Sequence, residues 1–178
     1  SAWRHDHSPL GIADLTGNVW EWSPGMRVVD AEIQIVADNQ AASENADLTA
    51  TSLLWQAIRA TDGALVAPGD ADAVKYATSG TVAGTVVGVS GGAFEDLVAH
   101  GLNAEAIRVL NVNGLLSWAA DLRGDGWWIN ETSERVPIRG GNWTNGVRAG
   151  LRSVNLNNAR GFRRSSIGAR PAFDPGVL

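Results

Sequence analysis

The sequence predicts an α+β domain of mixed short strands with two or three helices. Strand-like segments stand near both ends, an aromatic one at 19–22 and a Trp-led one at 127–138. Helix signals lie between them, clearest where Asn103 precedes a helical run through Leu110. At 178 residues the chain fits a single domain, 1–178, long enough for a real core.

The elements follow in order. The opening carries turn signals at Ser8-Pro9, Leu10-Gly11 and Thr16-Gly17-Asn18, then the short strand Val19-Trp20-Glu21-Trp22. Residues 27–36 read as one or two strands, and Glu32-Ile33-Gln34-Ile35 alternates with the period of a half-buried strand. Residues 37–50 are polar and Ala-rich, a loop. Leu53, Leu54, Ala57 and Ile58 share one helical face, which predicts a helix over 52–60. Residues 81–89 are β-branched and Gly-punctuated, a strand; glycines 80, 84 and 88 mimic a membrane-helix packing motif in a segment far too short to span. A helix over 94–100 should stop at Gly101. Asn103 caps the next helix, with Leu102 and Ile107 at hydrophobic-staple spacing. Residues 127–138 read as strand, turn, strand, and no internal repeat or low-complexity linker interrupts the chain.

Hydrophobic content of 44% and charged content of 19% describe an ordinary globular protein. Eight Trp beside one Tyr and three Phe is unusual, and indoles of that number should anchor the core of a loop-rich fold. The absence of Cys excludes disulfides, thiolate metal sites and a cysteine nucleophile. It fits a reducing compartment or a virion part assembled in one. No apolar run is long enough to span a membrane and no signal peptide is read, so no membrane insertion is expected. The abrupt start at Ser1-Ala2-Trp3 suggests that upstream sequence was removed. No phosphate-binding glycine loop, dinucleotide fingerprint or serine-hydrolase elbow is present. The sequons at Asn130 and Asn142 read as chance.

Charge is divided sharply. Residues 1–138 carry seven basic and eighteen acidic side chains, a net of −11. Residues 139–170 carry seven arginines (139, 148, 152, 160, 163, 164, 170), five asparagines and no acid. Such a split marks a binding surface more often than a core. Seven arginines with a Phe could grip phosphates and stack a base. The chain as a whole is acidic, with a pI of about 5.1, so no nucleic acid is expected.

Three motifs stand in order along the chain: Gly17-Asn18-Val19-Trp20-Glu21-Trp22, Arg139-Gly140-Gly141-Asn142-Trp143 and Ile167-Gly168-Ala169-Arg170-Pro171-Ala172. Together they resemble the C-type lectin fold in its formylglycine-generating-enzyme subtype, over roughly 9–23 and 135–173. The resemblance implies that Trp20, Trp22 and Trp143 pack together as core, and that arginines 139, 152 and 170 pair with carboxylates in the framework. It does not by itself imply activity. The enzymes of that family bind copper through a cysteine pair that is missing here. Related sulfoxide synthases bind iron through histidines. This chain has His5, His7 and His100, and His5-Asp6-His7 would share a strand face, so a metal-dependent oxidoreductase is the alternative reading. Satisfied turns are the plainer role for His5 and His7.

The last motifs also resemble the variable region of proteins diversified by retroelements. There G-G-x-W-x-x-G leads to a strand, N-x-N-N, a turn and I-G-x-R, at about 139–170 in this chain. In that family adenines of the template are copied with errors, so the binding face changes while its scaffold stays. The positions that carry over as the ligand-binding face are Asn142, Thr144, Asn145, Arg148, Asn155, Asn157, Asn158, Phe162, Arg164 and Ser166. All five non-Asn residues are reachable from an Asn codon by its first two bases. A surface of Asn, Ser, Thr and Arg with one aromatic also has the chemistry of an adaptable paratope. The plainer reading is a solvated Asn/Arg loop. The resemblance implies a hypervariable receptor-binding protein with no catalysis and no cofactor. The opening Trp3-Arg4-His5-Asp6-His7 and the lack of a lipoprotein signal place it with the phage tail-tip branch rather than the bacterial cell-surface branch. Its partner would be a host cell-surface receptor, protein or glycan, met from a homo-oligomer within a tail structure.

Overall fold

Alternation and turn chemistry set the first unit of the fold. The strand β1 (Trp20–Trp22) leads into β2 (Met26–Val29) and β3 (Glu32–Val36), the two-strand reading of 27–36. Asp30 and Ala31 between β2 and β3 have φ of 46° and 70°, a two-residue turn of the kind that matches strand twist. Asp30 accepts from the Ser133 backbone N–H at 2.7 Å, which fastens that turn to the chain a hundred residues on.

Next come β4 (Trp55–Ile58), β5 (Leu65–Val66), β6 (Lys75–Ala77), β7 (Thr85–Val87), β8 (Gly92–Ala93) and β9 (Val98–His100). The helix α1 (Ala104–Val112) follows, then β10 (Gly126–Ile129), β11 (Glu134–Arg135), β12 (Ile138–Arg139), β13 (Val154–Leu156) and β14 (Ile167–Gly168). The computed structural model describes residues 16–117 and 124–169. Within them the class is mixed α+β, mostly sheet.

One sheet has the order β14-β1-β12-β13-β10-β8, so the first strand sits between two of the last three. The other runs β11-β2-β3-β6-β7-β9, with β4 also on β3 and β5 on β4. Met26, Val28, Ile33, Ile35, Ile58 and Val86 from this sheet, with Val74 just before β6, meet Trp127, Ile129, Val154 and Leu156 from the first in one core. Leu110 of α1 and the following Leu115 and Leu116 close it.

One α-helix stands among the described residues where two or three were expected. The surviving one had the strongest local signals: the Asn103 side chain accepts from the Glu105 backbone N–H, as an N-cap should. The expected helix at 52–60 is β4, paired on both sides with β3 and β5. The expected helix at 94–100 is a 3-10 turn at Phe94–Asp96 followed by β9 on the edge of β7. Ladder hydrogen bonds outweigh helix propensity in both segments.

Strand β3 also differs from its expectation, because all five of its residues are buried. Ile33 and Ile35 enter the core as the alternation predicts. The polar side is covered as well: Arg27 Nε donates to Gln34 at 2.7 Å, Gln34 donates to Glu32 at 2.7 Å, and Glu32 accepts from the Gly69 backbone N–H. Buried polar groups persist where each finds a partner.

Candidate ligand-binding face

The C-terminal stretch is loop on a β frame. Strand β13 lies parallel to β10 and antiparallel to β12, so Asn155 stands level with Trp128 and Ile138. The loop 140–153 projects between β12 and β13. The N-terminal segment fastens it: Gly17 N–H donates to the Gly140 carbonyl at 3.0 Å, and Trp143 N–H to the Asn18 carbonyl at 3.2 Å. Trp20 N–H donates to the Ser166 carbonyl at 2.9 Å and so holds the second loop, 157–166.

Two side chains tie the loop's far end to β10. The buried Ser153 hydroxyl accepts from the backbone N–H of Gly126 and Gly150 and donates to the Arg148 carbonyl. Asp125 accepts from the Arg152 backbone N–H at 2.8 Å. Gly150 passes so close to that carboxylate that a Cβ would lie 1.7 Å from its oxygen. Gly141, at φ 74°, has no room either: its Cβ would fall 2.6 Å from Ala149. The glycines of the motif let two backbone segments touch.

The ten positions divide by burial. Thr144, Arg148, Asn157 and Arg164 are exposed. Asn145, Asn155, Phe162 and Ser166 are half-buried, and Asn142 and Asn158 are buried. The asparagines lock the loops. Asn142 Oδ1 accepts from the Thr144 backbone and hydroxyl at 3.0 and 2.8 Å, while Asn145 Oδ1 accepts from the Asn142 N–H at 2.8 Å. Asn155 Oδ1 accepts from the Asn157 backbone N–H and the Asn158 amide. Arg164 lies over the Phe162 ring, 5.3 Å from its centre, a cation–π contact on the second loop.

Trp143 is a correction. Core packing with Trp20 and Trp22 was expected, yet Trp143 is 58% exposed. Trp20, 5% exposed, packs edge-on against Trp128 instead, with ring centres 5.5 Å apart. Trp22 is half-buried. The loop fixes the Trp143 backbone against Asn18, and its indole faces solvent. Val147 and Leu151 on the same loop are 84% and 64% exposed. Sequence reasoning passed over both; their signal was an apolar residue among four glycines with no periodic partner.

Not every arginine of the basic stretch serves this face. Arg160 binds Glu134 through Nη2 at 2.7 Å and Nε at 3.0 Å, and Nη1 donates to the Leu48 carbonyl. Glu134 also takes Arg27 at 2.9 Å. Chiefly the Arg160 hydrogen bond, and then Arg27, hold the Glu134 carboxyl below its ordinary value, against the opposing effect of burial. Arg27 lies 4.5 Å over Trp55. Arg160 is therefore a clamp between the second loop and the larger sheet. Arg148, Arg163 and Arg164 remain exposed cations.

For the alternative reading, His100 sits on β9, and His5 and His7 lie outside the described residues. No group of three His, Asp or Glu side chains able to hold a metal stands among the described residues. Likewise, no described helix is long and apolar enough to cross a membrane. Comparison with protein-family models and with curated proteins gives no match.

Proposed function

We propose that the chain is a receptor-binding domain of the C-type lectin type, formylglycine-generating-enzyme subtype, diversified by a retroelement and carried at a phage tail tip. The observation that supports it most is the loop 140–153. It offers solvent three large apolar side chains, Trp143, Val147 and Leu151, beside exposed Thr144 and Arg148. The backbone beneath them is fixed by Asn142, Asn145, Ser153 and Asp125. Exposed Trp and Arg on a rigid frame have the make-up of binding hot spots, which lose little entropy on contact.

In this reading Asn142, Asn145, Asn155 and Asn158 hold the loops, and contact falls to Trp143, Thr144, Val147, Arg148, Leu151, Asn157, Phe162 and Arg164. The partner is a host cell-surface protein or glycan. Diversification is tested by deep sequencing of the 3′ coding region across a growing population of the source phage or cell. The expected result is substitution at the codons for Thr144, Arg148, Asn157, Phe162 and Arg164, with codons 17–22 and those of the loop-holding Asn142, Asn145, Asn155 and Asn158 unchanged. Uniform variation along the gene would overturn the retroelement reading and leave the binding reading to the cell assay below.

A further inference from the structure

Arg139 is a second feature, at the base of the loop 140–153. It ends β12, and its guanidinium reaches the C-terminal end of α1, where Nη2 donates to the Gly114 carbonyl at 3.2 Å. Burial is the main influence on this group and disfavours its charge; the neighbouring Tyr76 phenol favours it and the Arg152 cation opposes it. Carboxylate pairing was expected for it, and its bond to Gly114 goes to a backbone carbonyl instead. A guanidinium has five N–H donors. Among the described residues, Gly114 takes one of them.

Arg139 lines a cavity of about 650 Å³ between α1, β3 and the turn at 23–25. Met26, Ile35, Val36, Val109 and Val112 supply apolar wall. None of the ten face positions lines it. We propose that this cavity binds a small organic carboxylate, with its acid group on the Arg139 guanidinium and an aliphatic or aromatic body along the α1 wall.

Guanidinium and carboxylate match in a planar two-point bond, which strengthens away from water. A monoanion suits the site better than a phosphate dianion. Arg108, the other cation of the lining, is held by Glu105 at 2.6 Å, and Glu105 and Asp38 border the same cavity. Net charge around the ligand is thus small, and a second negative charge would face two carboxylates. The volume accommodates a body of several carbons.

Hexanoate and benzoate are the probes, with hexanamide, benzamide and inorganic phosphate as controls, titrated into the purified chain by calorimetry and thermal shift. Saturable binding of a carboxylate probe, with the matched amide at least about tenfold weaker, is the expected result. Arg139→Gln should abolish the difference. Because that change could also unfasten α1, Val112→Trp provides the second variant: Val112 is exposed, so the fold should hold while the cavity narrows and binding falls. Equal response to acid and amide, no saturable response to either probe, or unchanged hexanoate binding in Val112→Trp would each overturn the proposal and leave Arg139 as a cap on the last turn of α1. Tighter binding of phosphate than of either probe would overturn the ligand class.

Discussion

At the scale of single residues, two tryptophans of the same motif family have opposite roles. Trp20 is buried against Trp128, and Trp143 is mostly in solvent. Trp20→Ala should cost about 3–5 kcal/mol, the range for a large aromatic truncated in a core. Trp143→Ala should shift stability by no more than about 0.5 kcal/mol. Urea unfolding of the two variants decides it, and a comparable loss in both would return Trp143 to the core. Residue identity alone could not separate them. An indole between glycines reads as core when its neighbours are unknown, and only the Asn18–Trp143 backbone bond reveals which way the loop is turned. Gly150→Ala is the converse case, a small change in a tight place. Its Cβ would meet the Asp125 carboxylate, so a loss of about 1–3 kcal/mol is expected in the same measurement.

At the scale of elements, the clamp around Glu134 joins β11, β2 and the second loop. Its carboxyl titrates below the ordinary 4.5 when folded, chiefly through Arg160. A depressed acid contributes stability above its unfolded value, and that contribution is lost as pH falls through the folded one. Melting temperature should therefore drop between about pH 5 and about pH 3, and Glu134→Gln should drop less over the same range. At about pH 7 the Gln variant should be weaker by about 1.5–3 kcal/mol, since hydrogen bonds from two guanidiniums lose their charge. An identical acid profile in both proteins would show that the clamp does not matter. None of this was legible from the sequence, where Arg160 belonged to a binding stretch and Glu134 to a strand-turn-strand segment. Among the legible elements, α1 announces itself locally through Asn103. The misread ones at 52–60 and 94–100 are decided by strand partners outside the segments themselves, β3 and β5 for the first and β7 for the second.

At the scale of the whole molecule, the end-to-end association of the fold follows the three glycine-rich motifs. Their segments become neighbours in one sheet, with β1 between β14 and β12. The parallel pairings β1 with β14 and β10 with β13 have no local signature, because each joins short strands through long connections. The charge split read from the sequence resolves into separate tasks: Arg160 clamps, Arg139 is largely enclosed, and Arg148, Arg163 and Arg164 face solvent. The central claim is that the loops around Trp143 recognise a partner while the rest supports them. Its most direct measurement is binding to a bacterial strain that the native chain decorates, read by flow cytometry beside a melting curve. One variant replaces Trp143, Val147, Arg148 and Leu151 by Ser; the other replaces Leu53, Val82 and Val89, exposed apolar residues elsewhere in the chain, by Ser. The account predicts that the first keeps its melting temperature and loses at least about tenfold in affinity, as hot-spot removal does, while the second binds as the native chain does. Full binding by the first variant, or loss of binding by the second alone, would contradict it.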